Sequence, residues 1–174
     1  MKRKLLSVCI VLALVVGASS FIRAKQSGAE QQIRELEKDV NAAYEANDLK
    51  AYFSFYSSDL SQWFPEGRTD LPTYQKQWTS FIQAGGRIEK VVISDMHIQI
   101  GPSEDTAVAS YLLHVKTRSE KGEITDEDNQ ETDVFFKRGG VWKIVFLHYS
   151  PAQSKPAPSA SSIKKNVDLH AGGS

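Results

Sequence analysis

Cysteine is almost absent. The 174 residues contain one, Cys9, and it sits inside an apolar run near the N-terminus. Once that run is removed no thiol remains, which excludes disulfides, thiol catalysis and cysteine-ligated zinc. Histidine is scarce as well. His97, His114, His148 and His170 are the four, and no two have the close spacing of a helix-borne metal pair. No metal site and no cofactor is implied. The acids between Arg118 and Gln130 do not alternate as a calcium loop requires. No apolar run reaches the roughly 20 residues of a membrane-spanning helix, and no internal repeat is present. Net charge is zero, so the sequence lacks the basic footprint of a nucleic-acid binder.

What charge there is lies unevenly. Four of the 21 basic residues and none of the 21 acidic ones fall in residues 1–24, which leaves 17 basic against 21 acidic residues in the remainder. Lys2, Arg3 and Lys4 precede the apolar run Leu5 to Val16, and small residues follow at Gly17, Ala18, Ser19, Ser20 and Ala24. This is the pattern of a secretory signal peptide. The expected organisation is a signal peptide at 1–24, one domain at 25–151 and a Pro-, Ala- and Ser-rich flexible tail at 152–174. The expected location is periplasmic or secreted, with no membrane attachment after cleavage.

Residues 27–47 carry Ile33, Leu36, Val40, Ala43 and Tyr44 at intervals of three and four, which predicts a helix. Asp48 caps a second short helix over 49–56, and Ser57 to Asp59 reads as a turn. Leu60 to Phe64 reads as a short strand. Asp70 and Pro72 open a third helix that ends at Gly85-Gly86. From there the period becomes two. Strands are expected at 88–100, bent near Ser94-Asp95, and at 107–116. Residues 118–130 read as a polar loop. Residues 131–150 then form a hairpin turning at Gly139-Gly140. Helices grouped ahead of an antiparallel meander define an α+β fold in which a curved sheet can enclose a cavity.

Strand alternation assigns faces. Trp142, Ile144, Phe146 and His148 share one face; Val141, Lys143, Val145, Leu147 and Tyr149 share the other, more exposed one. A two-residue turn places Asp133 opposite Phe146 and on the face of His148. Asp133 and His148 are therefore the candidate catalytic residues. The candidate pocket takes Tyr44, Tyr52, Trp63 and Trp78 from the first half of the chain. Tyr111, Phe135, Trp142 and Phe146 complete it from the sheet. An aromatic cavity with a few convergent polar groups suits a small molecule. A carboxylate on an apolar face is unfavourable unless paired or used. Asp133 is thus either a structural partner of His148 or a helix residue, or a proton-transfer group with its pKa raised by burial.

The stretches Asp95 to Ile100, Ala107 to Tyr111, Glu131 to Phe135 and Trp142 to Ser150 together resemble the nuclear transport factor 2-like superfamily. Within it the chain is similar to the SnoaL-like proteins and to the association domain of calcium/calmodulin-dependent protein kinase II. The resemblance implies a cone-shaped barrel, three N-terminal helices on a strongly curved antiparallel sheet of the cystatin-like superfold, and a homodimer through the sheet. Where the kinase domain lines its pocket with arginines, this chain has Leu113, Asp133 and Tyr149, so a cationic pocket is missing. Three functions stay open: an exported binder of a small apolar or aromatic molecule, an isomerase-, cyclase- or dehydratase-type enzyme using Asp133 or His148, and a structural or assembly domain.

Overall fold

A computed structural model of the protein describes residues 28–152. The expected signal peptide, and the expected tail beyond Ala152, lie outside the described residues. The first helix, α1, spans residues 28–45. It is followed by α2 (Leu49–Ser54), β1 (Tyr56–Phe64), β2 (Gly67–Asp70), α3 (Leu71–Gln83), β3 (Arg87–Ile100), β4 (Thr106–Arg118), β5 (Ile124–Arg138) and β6 (Val141–Pro151). The six strands form one sheet in the order β2-β1-β6-β5-β4-β3. The α+β class expected from the sequence is the one observed. All neighbouring strands are antiparallel except β1 and β6, which run parallel.

Local chemistry sets the element ends. The Asp48 carboxylate accepts from the Ala51 N–H at 3.0 Å, and the Asp70 carboxylate from the Thr73 N–H at 3.0 Å. Each satisfies a donor that the first helical turn leaves open. Asn47, in the left-handed region at φ 57°, follows α1. Its side-chain amide accepts from Ile88 N and donates to Ile88 O, at 2.8 and 2.9 Å, so it acts as a one-residue strand beside the start of β3. Gly139 and Gly140 have φ of 58° and 83°, the two positive values a two-residue hairpin turn needs.

The helices pack on one face of the sheet. Ile33 and Val40 of α1 meet Ala107, Ala109, Leu113, Phe135, Ile144 and Leu147 in a single cluster. Burying each of the larger side chains contributes about 1.5–3 kcal/mol. Register shifts interrupt β1, β3 and β6, and such bulges bend a strand and increase its twist. Of the two in β3, the second lies between Ser94 and His97, where the sequence suggests a bend, and Asp95 has φ 51°.

Three elements differ from the sequence expectation. Ser57 to Asp59 is part of β1, not a turn. The four residues of β2, a glycine and three polar residues, pair with Ser61 to Phe64. Most of the expected 118–130 loop is strand, with Ile124 to Gln130 laddered against Leu112 to Arg118. Most of this end of β5 is exposed, so no buried stripe marks it as a strand. Cross-strand contacts of His114 with Asp126 (2.8 Å) and Asp128 (2.9 Å) occupy it instead.

Candidate functional site

Three acids and a tyrosine meet in the interior. On α1, Glu37 follows Ile33 by one turn and precedes Asn41 by another, so both polar residues lie on the apolar stripe. On β5, Asn129, Glu131, Asp133 and Phe135 alternate onto the inner face, and all four are buried. From β4, the Tyr111 hydroxyl donates to Glu131 Oε1 at 2.5 Å and lies 3.1 Å from Asp133 Oδ2. Glu37 and Asp133 are fully enclosed and Glu131 is 9% exposed.

Burial dominates the titration of this cluster. It raises Glu37 from 4.5 to about 8, with repulsion from Glu131 adding to the effect. It raises Glu131 to about 7, against hydrogen bonds from Tyr111 and Asp133 that favour the anion. Asp133 is pushed well up by burial, then by the charges of Glu37 and Glu131. Counted as three anions, the cluster leaves both Glu37 oxygens and Asp133 Oδ1 without a donor. A proton held on Asp133 supplies one, because its carboxyl hydrogen-bonds those of Glu37 and Glu131. Near neutrality the cluster is therefore a partly protonated carboxylic-acid network.

Beside it lies a chain of phenols. Tyr56 donates to the Tyr52 hydroxyl at 2.7 Å, and Tyr52 and Tyr74 share a further 2.7 Å bond. Tyr44 stacks on Tyr52 with ring centroids 5.1 Å apart, and Trp78 meets Tyr44 edge-on at 5.1 Å. All of these rings but Tyr56 wall a cavity of about 160 Å³. Glu131, Asn41, Leu113 and Leu147 also line it, with Thr117, Thr125 and Glu127 on the outer ends of β4 and β5. A groove of about 570 Å³ over β2 and α3 shares Phe64, Tyr74 and Trp78 with it.

The structure brings together only part of the expected site. Tyr44, Tyr52 and Trp78 line the cavity. Tyr111, Phe135, Trp142 and Asp133 are buried but do not reach it. Tyr111 and Asp133 stand behind Glu131, Phe135 is in the core, and Trp142 donates to Gln32 Oε1 at 3.1 Å. His148, Phe146 and Trp63 lie on the opposite face, so their expected place in the pocket is overturned. The reason is one residue. Phe135 pairs with Ile144, as the turn dictates, but Val134 pairs with Phe146, which leaves Val145 as an extra residue in β6. Past the bulge the faces exchange. Leu147 and Tyr149 turn inward, His148 is exposed, and Asp133 sits opposite Leu147 instead of Phe146. Trp63 pairs with His148 and is 45% exposed. Asp133 and His148 therefore cannot act on one ligand from one side of the sheet.

Glu37 and Glu131 are the acids of the site that the sequence reading does not single out. Both had a signal. Glu37 interrupts an apolar helical stripe, and Glu131 has the strand parity of Asp133 and Phe135.

The architecture is that of the nuclear transport factor 2-like, cystatin-like fold. The chain is similar to a nuclear transport factor 2-like protein from Cytophaga hutchinsonii, at 22% identity and a TM-score of 0.62, covering 71% of this chain and 98% of that one. It is similar to the association domain of CaMKII from C. elegans, at 18% identity and TM-score 0.59, covering 72% and 98%. A ketosteroid isomerase-like protein from Erwinia carotovora atroseptica aligns at 16% identity and TM-score 0.58, over 70% and 95%. Residues 33–154 match the SnoaL-like domain, and the chain belongs to that family. No curated protein matches it.

Proposed function

We propose that the protein binds a small, mainly apolar or aromatic molecule in the cavity between α1, α3 and the sheet. The observation that carries this is the cavity itself, with its aromatic walls and a single buried carboxyl, Glu131, reaching it. Its volume of about 160 Å³ matches the apolar cavities of about 150 Å³ that take benzene. A ligand of about one ring fits inside, with any longer part running over Trp78 into the groove. In a thermal-shift series, benzyl alcohol or cyclohexanol at ten times its Kd stabilises by about 1.4 kcal/mol, which raises the melting temperature by roughly 4 °C. Trp78→Ala weakens the response. Single-ring probes that leave the wild-type melting temperature unchanged up to their solubility limits sink the proposal.

A second reading is proton-transfer catalysis of the isomerase, cyclase or dehydratase kind. It is supported by a cavity carboxyl raised to about 7, in the range of a general acid or base at neutral pH. The role falls to Glu131, not to Asp133 or His148. With cyclohexanone in heavy water, the wild type speeds α-proton exchange and Glu131→Gln does not. Exchange at the solvent rate in both removes this reading.

We also propose export through residues 1–24 and pairing of two copies through the outer face of the sheet. Leu112, Phe136 and Trp63 are 42%, 37% and 45% exposed there, with Val108, Val134 and Phe146 in register between them. Such a patch favours a protein partner. Light scattering of the processed chain, recovered from the exported fraction, gives a dimer, and Leu112→Glu with Phe136→Glu gives a monomer. A monomeric wild type rules the pairing out, and a full-length chain retained in the cytoplasm rules out the export.

A further inference from the structure

We propose that the cavity is a site for a small organic ammonium ion carrying about one ring, seated between the aromatic walls and the Glu131 carboxylate. The inference rests on the binding reading above and narrows it to one charge class.

Three features point the same way. Phe64, Tyr44, Tyr52, Tyr74, Trp78 and Tyr149 surround the space, and the faces of such rings attract cations, as in the aromatic cages that hold alkylated ammonium groups. Among the described residues, the charged ones lining the cavity are Glu131 and, at its rim, Glu127, and no lysine, arginine or histidine lines it. An anionic ligand would meet uncompensated repulsion there. Finally, the carboxyl that reaches the cavity lacks a counter-charge. Tyr111 holds one oxygen of the nine-tenths-buried Glu131 at 2.5 Å. The other side chain bonded to this carboxyl is Asp133, itself an acid. Behind them stands a third buried acid, Glu37, whose neighbours are again Glu131, Tyr111 and Asp133. A bound ammonium supplies the positive charge and the N–H donors that this end of the interior is missing. A bare metal ion suits it less well, because among the described residues no group of His, Cys, Asp or Glu side chains, the three buried acids included, is arranged to hold one.

The groups facing Glu131 are Glu37 and Tyr44 from α1, Tyr52 from α2, Tyr56 from β1, Tyr74 from α3, Tyr111 from β4, Asp133 on its own strand and Tyr149 from β6. All are carboxyls or phenols, so among the described residues no basic side chain competes for the anion. Burial keeps Glu131 protonated up to about pH 7. A cation selects the ionised form, and the Glu131 proton passes to solvent on binding.

The test uses the wild-type domain and three probes of one size: benzylamine, benzyl alcohol and benzoate. Calorimetry at pH 7 gives benzylamine at least tenfold tighter than benzyl alcohol, and no binding of benzoate. Benzylamine stays cationic across the range, since alkylamines titrate near 10. Its affinity therefore rises about thirtyfold from pH 5.5 to 8 and then flattens, with about one proton released per ligand at pH 6 in paired buffers of different ionisation enthalpy. Glu131→Gln removes the pH slope and the preference for the amine while retaining benzyl alcohol. If that variant does not fold, the wild-type ranking and slope decide alone. Benzyl alcohol or benzoate binding as well as benzylamine overturns the ammonium assignment and leaves the pocket reading standing. Failure of all three probes overturns both.

Discussion

The melting temperature is expected to be highest near pH 5 and to fall by roughly 10–20 °C between pH 5 and pH 9. The cause is the acid network. Glu37 and Glu131 bind their protons more tightly in the folded chain than in the unfolded one, at about 8 and about 7 against an ordinary value of 4.5. For acids shifted upward, the stabilisation is complete below the unfolded value and is lost as pH rises through the folded values. The window is therefore about 4.5 to 8. One pKa unit corresponds to about 1.4 kcal/mol, and the two groups are coupled, so a combined loss on the order of 3–5 kcal/mol is expected rather than the sum of two separate shifts. Asp133 is shifted in the same direction. The exposed Asp59, lowered to about 2 by hydrogen bonds from Arg138 and Ser57, acts only on the far acid side. Calorimetric scans at five pH values check the slope. Glu37→Gln removes one titrating group and offers Asp133 an amide donor, so it flattens the profile and is more stable than wild type at pH 8. A wild-type optimum at pH 8 or above would contradict the network.

Inserting one alanine between Phe146 and Leu147 is expected to be the most damaging single-residue change in β6. Val145 is the extra residue opposite no partner, so deleting it leaves Phe146 opposite Val134 and Leu147 opposite Asp133 and keeps the faces. The insertion instead reverses the parity of everything beyond it. His148 then points into the core, and the buried Leu147 and the cavity residue Tyr149 point to the outer face. Loss of the Leu147 contacts alone is worth about 2–5 kcal/mol, and an imidazole placed in the interior adds to it. Urea unfolding is expected to show a loss of at least about 4 kcal/mol or no cooperative transition. Val145→Ala keeps the register and should cost about 1–2 kcal/mol. Equal stabilities for the insertion and the alanine variant would show that parity beyond the bulge does not set the faces.

The same residue explains where the sequence was legible. Helix α1 could be read from Ile33, Leu36, Val40 and Tyr44 because one face is dry and the other wet. The caps at Asp48 and Asp70, the glycine turn and the bend at Asp95 carry local chemistry that needs no knowledge of the fold. A period-two pattern is equally local, but it holds only while the ladder is continuous. Nothing in Trp142 to Ser150 announces that Val145 stands out of register. One unmarked bulge was enough to exchange Phe146 and His148 for Leu147 and Tyr149. The first half of β5 failed for the opposite reason. Its backbone pairs fully with β4, yet solvent reaches most of its side chains, so composition alone reads as loop. The site was legible in kind, aromatic with a buried acid, but centred two residues late. Asp133 stands behind Glu131, and Glu37 was passed over because a lone acid in an amphipathic helix usually faces water.

The parallel pairing of β1 with β6 has a kinetic consequence. Ser61 to Trp63 lie beside Phe146 to His148, so the first strand of the sheet has no inner neighbour until the last one arrives. Closing such non-local pairs is slow, because a long loop must be ordered before the contact rewards it. A chain emerging from the ribosome or from a membrane pore cannot complete this sheet until its final strand is free. Until then β1 and β5 each present an open edge to whatever is nearby. The closing strand is also the one whose bulge sets the faces, so the timing of assembly and the sorting of inside from outside fall on the same eleven residues.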